Sequence, residues 1–266
     1  MEGSGLAVCL IIVSSHIFVC EGLETCNRRC GSKTVPFPFG FSGGCPNKLN
    51  CSVEANITME GFRVQNISGE GVRIIHDFQS CQKQLTEIYA FHQQYALTNR
   101  NVLLVKDSCA HLDSACSFNF SLIPLYLSIN QRQSCNLSEY TCLDTNGTDF
   151  IKWKDLAVPN CEPLLTNIVV DRRDSLEVVV DVGNLELGWW INGNCSPHAC
   201  SANADCNHLI SPNTDEPAFK CSCKPGFVGD GFAHGDGCRK DSSRCNPSNY
   251  VSGDCGGSSR VGVLVG

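Results

Sequence analysis

A chain of 266 residues with 20 cysteines, 11 prolines, 24 glycines and a formal charge of −7 has the composition of neither a cytosolic enzyme nor a nucleic-acid binder. Glutathione keeps cytosolic thiols reduced, so this cysteine content points to an oxidising compartment. Polyphosphate partners select basic surfaces, which an acidic chain does not offer. The length accommodates one or two domains.

Residues 1–22 read as a cleaved secretory signal, with Leu6-Ala7-Val8-Cys9-Leu10-Ile11-Ile12-Val13 as an apolar core too short to cross a bilayer. Cleavage after Gly22 removes Cys9 and Cys20 and leaves an even set of cysteines that can pair completely. It also removes Glu2 and Glu21, bringing the charge to about −5. Asn-x-Ser/Thr triplets begin at Asn50, Asn56, Asn66, Asn119, Asn136, Asn146 and Asn194. They predict a heavily glycosylated exterior.

Next comes Cys26-Asn27-Arg28-Arg29-Cys30-Gly31-Ser32-Lys33-Thr34-Val35-Pro36-Phe37-Pro38-Phe39-Gly40-Phe41. Two prolines favour an extended backbone, with Phe37, Phe39 and Phe41 to one side of a ribbon. The phenylalanines read better as core than as a sugar-stacking surface. Arg28, Arg29 and Lys33, with Lys48 near, form either a solvated face or a site for carboxylates, which arginine can hold bidentately.

Short alternating or β-branched runs follow at 62–67, 72–75, 102–105, 118–122, 168–170 and 176–180. They predict a mainly β, sandwich-like or split-sheet body. Residues 79–94 are the best helix candidate. Asp171-Arg172-Arg173-Asp174 reads as a charged turn between strands. Ten cysteines from Cys26 to Cys161 can form five disulfides in this body, with Cys26–Cys45 and Cys135–Cys142 as neighbouring choices.

Beyond them, Cys195-x4-Cys200-x5-Cys206-x14-Cys221-x-Cys223-x14-Cys238 sets a distinct rhythm. A segment this short buries little apolar surface and needs staples. A zinc site is the alternative, but it would want paired Cys-x2-Cys units. After residue 240 the chain has a loop that a Cys245–Cys255 disulfide would close, a flexible linker at 256–260 and six residues that begin an apolar run. A membrane span would need about twenty.

The cysteine rhythm, with Cys223-Lys224-Pro225-Gly226-Phe227 and Gly229-Asp230-Gly231, resembles an EGF-like module. That resemblance implies the pairs Cys195–Cys206, Cys200–Cys221 and Cys223–Cys238. Cys30-Gly31 followed by Val35-Pro36-Phe37-Pro38-Phe39-Gly40-Phe41 resembles the start of the galacturonan-binding domain of plant wall-associated receptor kinases. In that family an EGF-like module usually precedes a membrane span, and Leu185-Glu186-Leu187-Gly188-Trp189-Trp190 resembles the segment that closes the binding domain. One departure is the short, polar Cys45-Pro46-Asn47-Lys48-Leu49-Asn50-Cys51.

The resemblance implies a signal peptide at 1–22, a cysteine-rich galacturonan-binding-like β domain at 23–190, an EGF-like module at 191–239 and a juxtamembrane linker at 240–266. It implies a location in the wall or on the outer face of the plasma membrane. Pectin or oligogalacturonides would bind through Arg28, Arg29, Lys33 and Lys48, with extracellular proteins as partners of the EGF-like module. The module would then be a spacer or protein-contact unit. A membrane would be reached only through a span beyond residue 266, and any kinase would also lie there.

No cofactor or metal is expected. Trp190-Ile191-Asn192-Gly193-Asn194 stands where a calcium-binding EGF module carries acidic ligands, and His208 replaces an Asp or Asn. No P-loop, Gly-x-Ser-x-Gly or His-Glu-x-x-His occurs, and His76, His92, His111 and His234 are dispersed. The alternative to a receptor ectodomain is a secreted, kinase-less scaffold or decoy that binds glycans or proteins.

Overall fold

Turn residues cut this sequence into short extended runs, and among the described residues strands account for the regular structure. The computed structural model describes residues 25–76, 94–106, 140–142, 149–152, 164–172 and 178–241. The helix candidate at 79–94, apart from Gln94, and the run at 118–122 lie outside the described residues. Also outside are the expected Cys135–Cys142 and Cys245–Cys255 pairs, three glycosylation triplets and both chain ends. No helix among the described residues is long and apolar enough to cross a membrane.

The N-terminal segment forms β1 (Arg29–Cys30) and β2 (Lys33–Thr34), an antiparallel hairpin turned at Gly31 with φ 60°. Next, β3 (Phe39–Gly40) pairs in parallel with β4 (Asn47–Lys48). Gly40 is required here: a Cβ would stand 2.2 Å from Cys45 Sγ and 2.6 Å from Asn27 O. The Cys26–Cys45 and Cys30–Cys51 disulfides staple this segment. Of the Pro-Phe ribbon only Phe39–Gly40 is strand. Phe39 is fully buried, and Phe37 and Phe41 pack against the same core. The core reading of the phenylalanines holds.

The body continues with β5 (Asn50–Cys51), β6 (Ile57–Met59), β7 (Phe62–Ile67), β8 (Val72–Ile75), β9 (Tyr95–Leu97), β10 (Asn101–Lys106), β11 (Tyr140–Cys142), β12 (Leu164–Arg172), β13 (Val178–Val182) and β14 (Asn184–Trp189). One sheet has the order β5-β6-β7-β8-β14-β9 and a second β11-β10-β12-β13. The runs at 72–75, 102–105 and 168–170 fall within β8, β10 and β12. Asp171 and Arg172 complete β12 instead of turning, because each pairs with β13, Asp171 with Val179 and Arg172 with Val178.

Strand β14 is buried along its whole length and has two different faces. Leu185, Leu187 and Trp189 enter the apolar core with Val72, Ile74 and Leu97. Asn184 and Glu186 alternate to the opposite side, where the second sheet meets the first through a polar seam. Asn101 donates from Nδ2 to Glu186 O at 2.7 Å and accepts from Glu186 N at 2.9 Å, standing in for a strand partner. Asn167 donates to His76 O at 2.9 Å.

Two arginines complete the seam. Arg73 contacts Glu186 at 3.1 Å, Asp181 at 3.2 Å and Asp171; Arg100 contacts Glu70 at 2.7 Å, Asp171 at 3.3 Å and Glu186. Buried polar groups are tolerated when partnered in this way.

The last segment forms β15 (Ile191–Asn192), β16 (Ala204–Ile210), β17 (Pro217–Cys223), β18 (Phe227–Gly229) and β19 (Cys238–Lys240). A β15-β17-β16 sheet and a β18-β19 hairpin are stapled by Cys195–Cys206, Cys200–Cys221 and Cys223–Cys238. These six sulfurs are consumed in disulfides and present no thiolate to zinc. The core does not stop at residue 190. Phe219, Cys221 and Phe232 belong to the same cluster as Phe39 and Trp189, with Phe37 and Phe232 rings 5.1 Å apart. The module is therefore packed onto the body and does not stand off as a spacer.

Candidate ligand-binding clefts

The four cations singled out in the sequence meet different fates. Arg28 reaches across the chain to Asp230 at 3.3 Å and Asp236 at 2.7 Å, so its guanidinium joins the two parts of the molecule. Arg29 and Lys33 are exposed, but cross-strand pairing sets Arg29 beside Thr34 and Lys33 beside Cys30, on opposite faces of the hairpin. Lys33 donates to Ala55 O at 3.0 Å. Lys48 is exposed on β4 with no side-chain partner among the described residues. The structure does not gather these four into one cluster.

It does bring Lys33 together with a residue the sequence reading passed over. Lys33 and Arg63 line a cleft of about 430 Å³ with Val35, Ile57, Asn56 and Asn66. Arg63 is exposed on β7 and has no side-chain partner among the described residues. Two of the lining asparagines begin glycosylation triplets, so a glycan on either would stand at the cleft rim. Arg63 left a faint signal in the sequence as the polar member of the alternating 62–67 run, where only folding could place it beside Lys33.

A second cleft, of about 470 Å³, opens between the body and the EGF-like module. Phe37, Trp189 and Val228 form its apolar part and Lys220, Arg239 and Asn207 its polar part. Lys220 Nζ lies 4.7 Å from the Trp189 ring centroid and 5.7 Å from that of Phe150. It donates to the carbonyls of Gly69 and Glu70, each at 3.3 Å. Burial pushes the Lys220 ammonium down to about 8, only partly opposed by the nearby charges of Asp149 and Glu70.

The unfolded lysine holds its proton up to about 10.5, so between those pH values the unfolded chain binds more protons than the native one. Native stability therefore rises by up to about 3 kcal/mol across that window, and below it the burial cost is fully present. Lys220→Met should flatten this alkaline rise in denaturant-unfolding midpoints. A rise of the same size in the variant would remove Lys220 as its source.

The described residues form a mainly β, disulfide-stapled body with a second, three-disulfide segment packed on its core. No family model matches the sequence, and no solved structure matches it. Curated relatives do. Wall-associated receptor kinase-like 14 of Arabidopsis thaliana is 26% identical over 260 residues, covering 94% of this chain and 36% of the relative. Wall-associated receptor kinase-like 21 of the same plant is 25% identical over 220 residues, covering 80% and 34%. Wall-associated receptor kinase 3 is 24% identical over 285 residues, covering 87% and 38%.

The chain thus spans about a third of the length of the relatives it matches, and it is similar to them over most of its own. These similarities support a wall-associated-kinase-like extracellular region with a receptor-ectodomain role. There is no kinase domain in this chain.

Proposed function

We propose that this chain is the ligand-binding ectodomain of a wall-associated-kinase-like receptor and that it takes a galacturonate polymer of the pectin type. The observation that carries this reading is the pair of cations in the Lys33–Arg63 cleft. Neither has a carboxylate partner among the described residues, in a protein whose Arg28, Arg73 and Arg100 are all ion-paired. Uncompensated guanidinium and ammonium groups beside polar Asn56 and Gln65 suit a carboxylate-bearing sugar chain. The acidity of the whole chain is screened beyond about 8 Å at physiological ionic strength, so a local cationic site outweighs distant repulsion. The ligand would be met on the wall side of the plasma membrane, coupling wall to receptor.

Chromatography on immobilised de-esterified pectin tests this. The purified chain should be retained, with retention falling as salt rises, and fully methyl-esterified pectin should retain it poorly. Lys33→Gln combined with Arg63→Gln should weaken binding by about tenfold, as loss of two contacts of about 0.7 kcal/mol each requires. Arg28→Gln should change binding little, because Arg28 is already occupied. Equal retention on esterified and de-esterified pectin would overturn the reading.

A further inference from the structure

Charge matching in the cleft between the body and the EGF-like module is one-sided. Three carboxylates lie on its walls, and each has an arginine: Asp230 and Asp236 share Arg28, and Glu70 binds Arg100 at 2.7 Å. Neither of its two cations pairs directly with a carboxylate among the described residues: Lys220 donates to two carbonyls and lies over aromatic rings, and the Arg239 side chain has no partner there. A partly desolvated ammonium held by carbonyls, with Asp149 and Glu70 acting only at longer range, is costly to maintain, and burial has already lowered its pKa to about 8. An anion entering the cleft would relieve that cost.

The rest of the lining narrows the class of anion. Phe37 and Val228 offer apolar surface, and Asn207, which donates to Ser222 Oγ at 2.7 Å, offers an amide beside the Ser222 hydroxyl. A ring with C–H faces, hydroxyl groups and one carboxylate matches all three features. The volume of about 470 Å³ lies in the range of small-molecule sites and suits one or two such rings.

We propose that this cleft is a second binding site, in which Lys220 and Arg239 hold the carboxylate of a uronate mono- or disaccharide. Its walls belong to two modules, so the bound sugar bridges body and EGF-like module. The sugar class rests on the galacturonate reading above, whereas the anion site rests on the charge pattern of the cleft alone.

Amine labelling of the full chain followed by mass spectrometry tests the proposal. Near pH 8 much of Lys220 is neutral and reactive, with exposed Lys48 and Lys224, which line neither cleft, as internal references. Digalacturonate at about four times its dissociation constant should slow Lys220 labelling roughly fivefold relative to those references, as mass action requires. Neutral galactobiose should not slow it, and acetate at the same concentration should protect less.

Arg239→Gln should weaken protection of Lys220 by about tenfold in apparent affinity. Unchanged Lys220 labelling with digalacturonate would overturn the site, and equal protection by acetate would overturn the sugar class. Protection of Lys220 in a chain that pectin does not retain would remove the polymer-binding reading and leave the cleft standing.

Discussion

Asp230→Ala is expected to destabilise the protein by about 3–5 kcal/mol, the range for breaking a buried, hydrogen-bonded charge. The Asp230 side chain is only 2% exposed, and its carboxylate organises the junction between body and module. Oδ1 accepts from the amides of Phe232 and Gly237, both at 3.1 Å. Oδ2 accepts from Asp236 N at 2.7 Å, Phe37 N at 3.2 Å and Arg28 Nη1 at 3.3 Å. Alanine leaves four amides without their acceptor, and each buried orphan costs about 1–3 kcal/mol.

Arg28→Met should cost only about 1 kcal/mol, because the four amides still solvate the carboxylate. Denaturant unfolding of both variants measures the difference, and hydrogen exchange at Phe37 and Gly237 locates it. Equal destabilisation would mean that the ion pair, not the amide cradle, holds the junction. Gly235 belongs to the same arrangement: a Cβ there would stand 2.2 Å from Asp230 Oδ2.

Arg73→Met should be similarly severe, about 3–5 kcal/mol. Arg73 neutralises Glu186, Asp181 and Asp171, and the Glu186 side chain is 3% exposed. Without Arg73, among the described residues Asp171 and Glu186 share only Arg100 and Asp181 keeps only the Asn184 amide, so the seam is left with largely buried, under-neutralised carboxylates.

Adding Glu186→Leu to Arg73→Met should recover part of the loss, since removing both partners deletes the unpaired charge. Thermal unfolding at pH 7 reads both effects. An Arg73→Met variant as stable as the parent would show that Arg73 is not what neutralises the seam.

Much of the fold was legible because it depends on short-range rules. Alternating residues such as 62–67 and β-branched runs such as 72–75 and 102–105 prefer a pleated, half-buried backbone, and they are β7, β8 and part of β10. Phe37, Phe39 and Phe41 read as core, and Phe39 stacks edge-on against Trp189 with ring centroids 5.3 Å apart.

The polar seam was not legible. Asn101, Asn167, His76 and Glu186 look like surface residues in a strand pattern, and the second sheet reverses that expectation. Of the turn expected over Asp171-Arg172-Arg173-Asp174, the first two residues are strand for the same reason, and Arg173 and Asp174 lie outside the described residues. Charge next to a β-branched run suggests an exposed end, yet Asp171 is a counter-ion for both Arg73 and Arg100.

The candidate site shows the same division. Arg28, Arg29 and Lys33 are neighbours in sequence, and proximity alone suggested one basic cluster. Arg28 instead finds carboxylates about two hundred residues away, and the hairpin turns Arg29 and Lys33 to opposite faces. Lys220, Arg239 and Trp189 become neighbours only because the EGF-like module docks on the body.

By itself the sequence determined the disulfide-rich, mainly β character, the EGF-like cysteine rhythm, the buried Pro-Phe ribbon and the kind of protein this chain is similar to. Those follow from spacing, composition and local propensity. Tertiary structure alone decided which described cations are ion-paired, where the clefts open and that the module shares the body's core. Ion pairing and desolvation depend on which groups meet in space, and distance along the chain does not encode that.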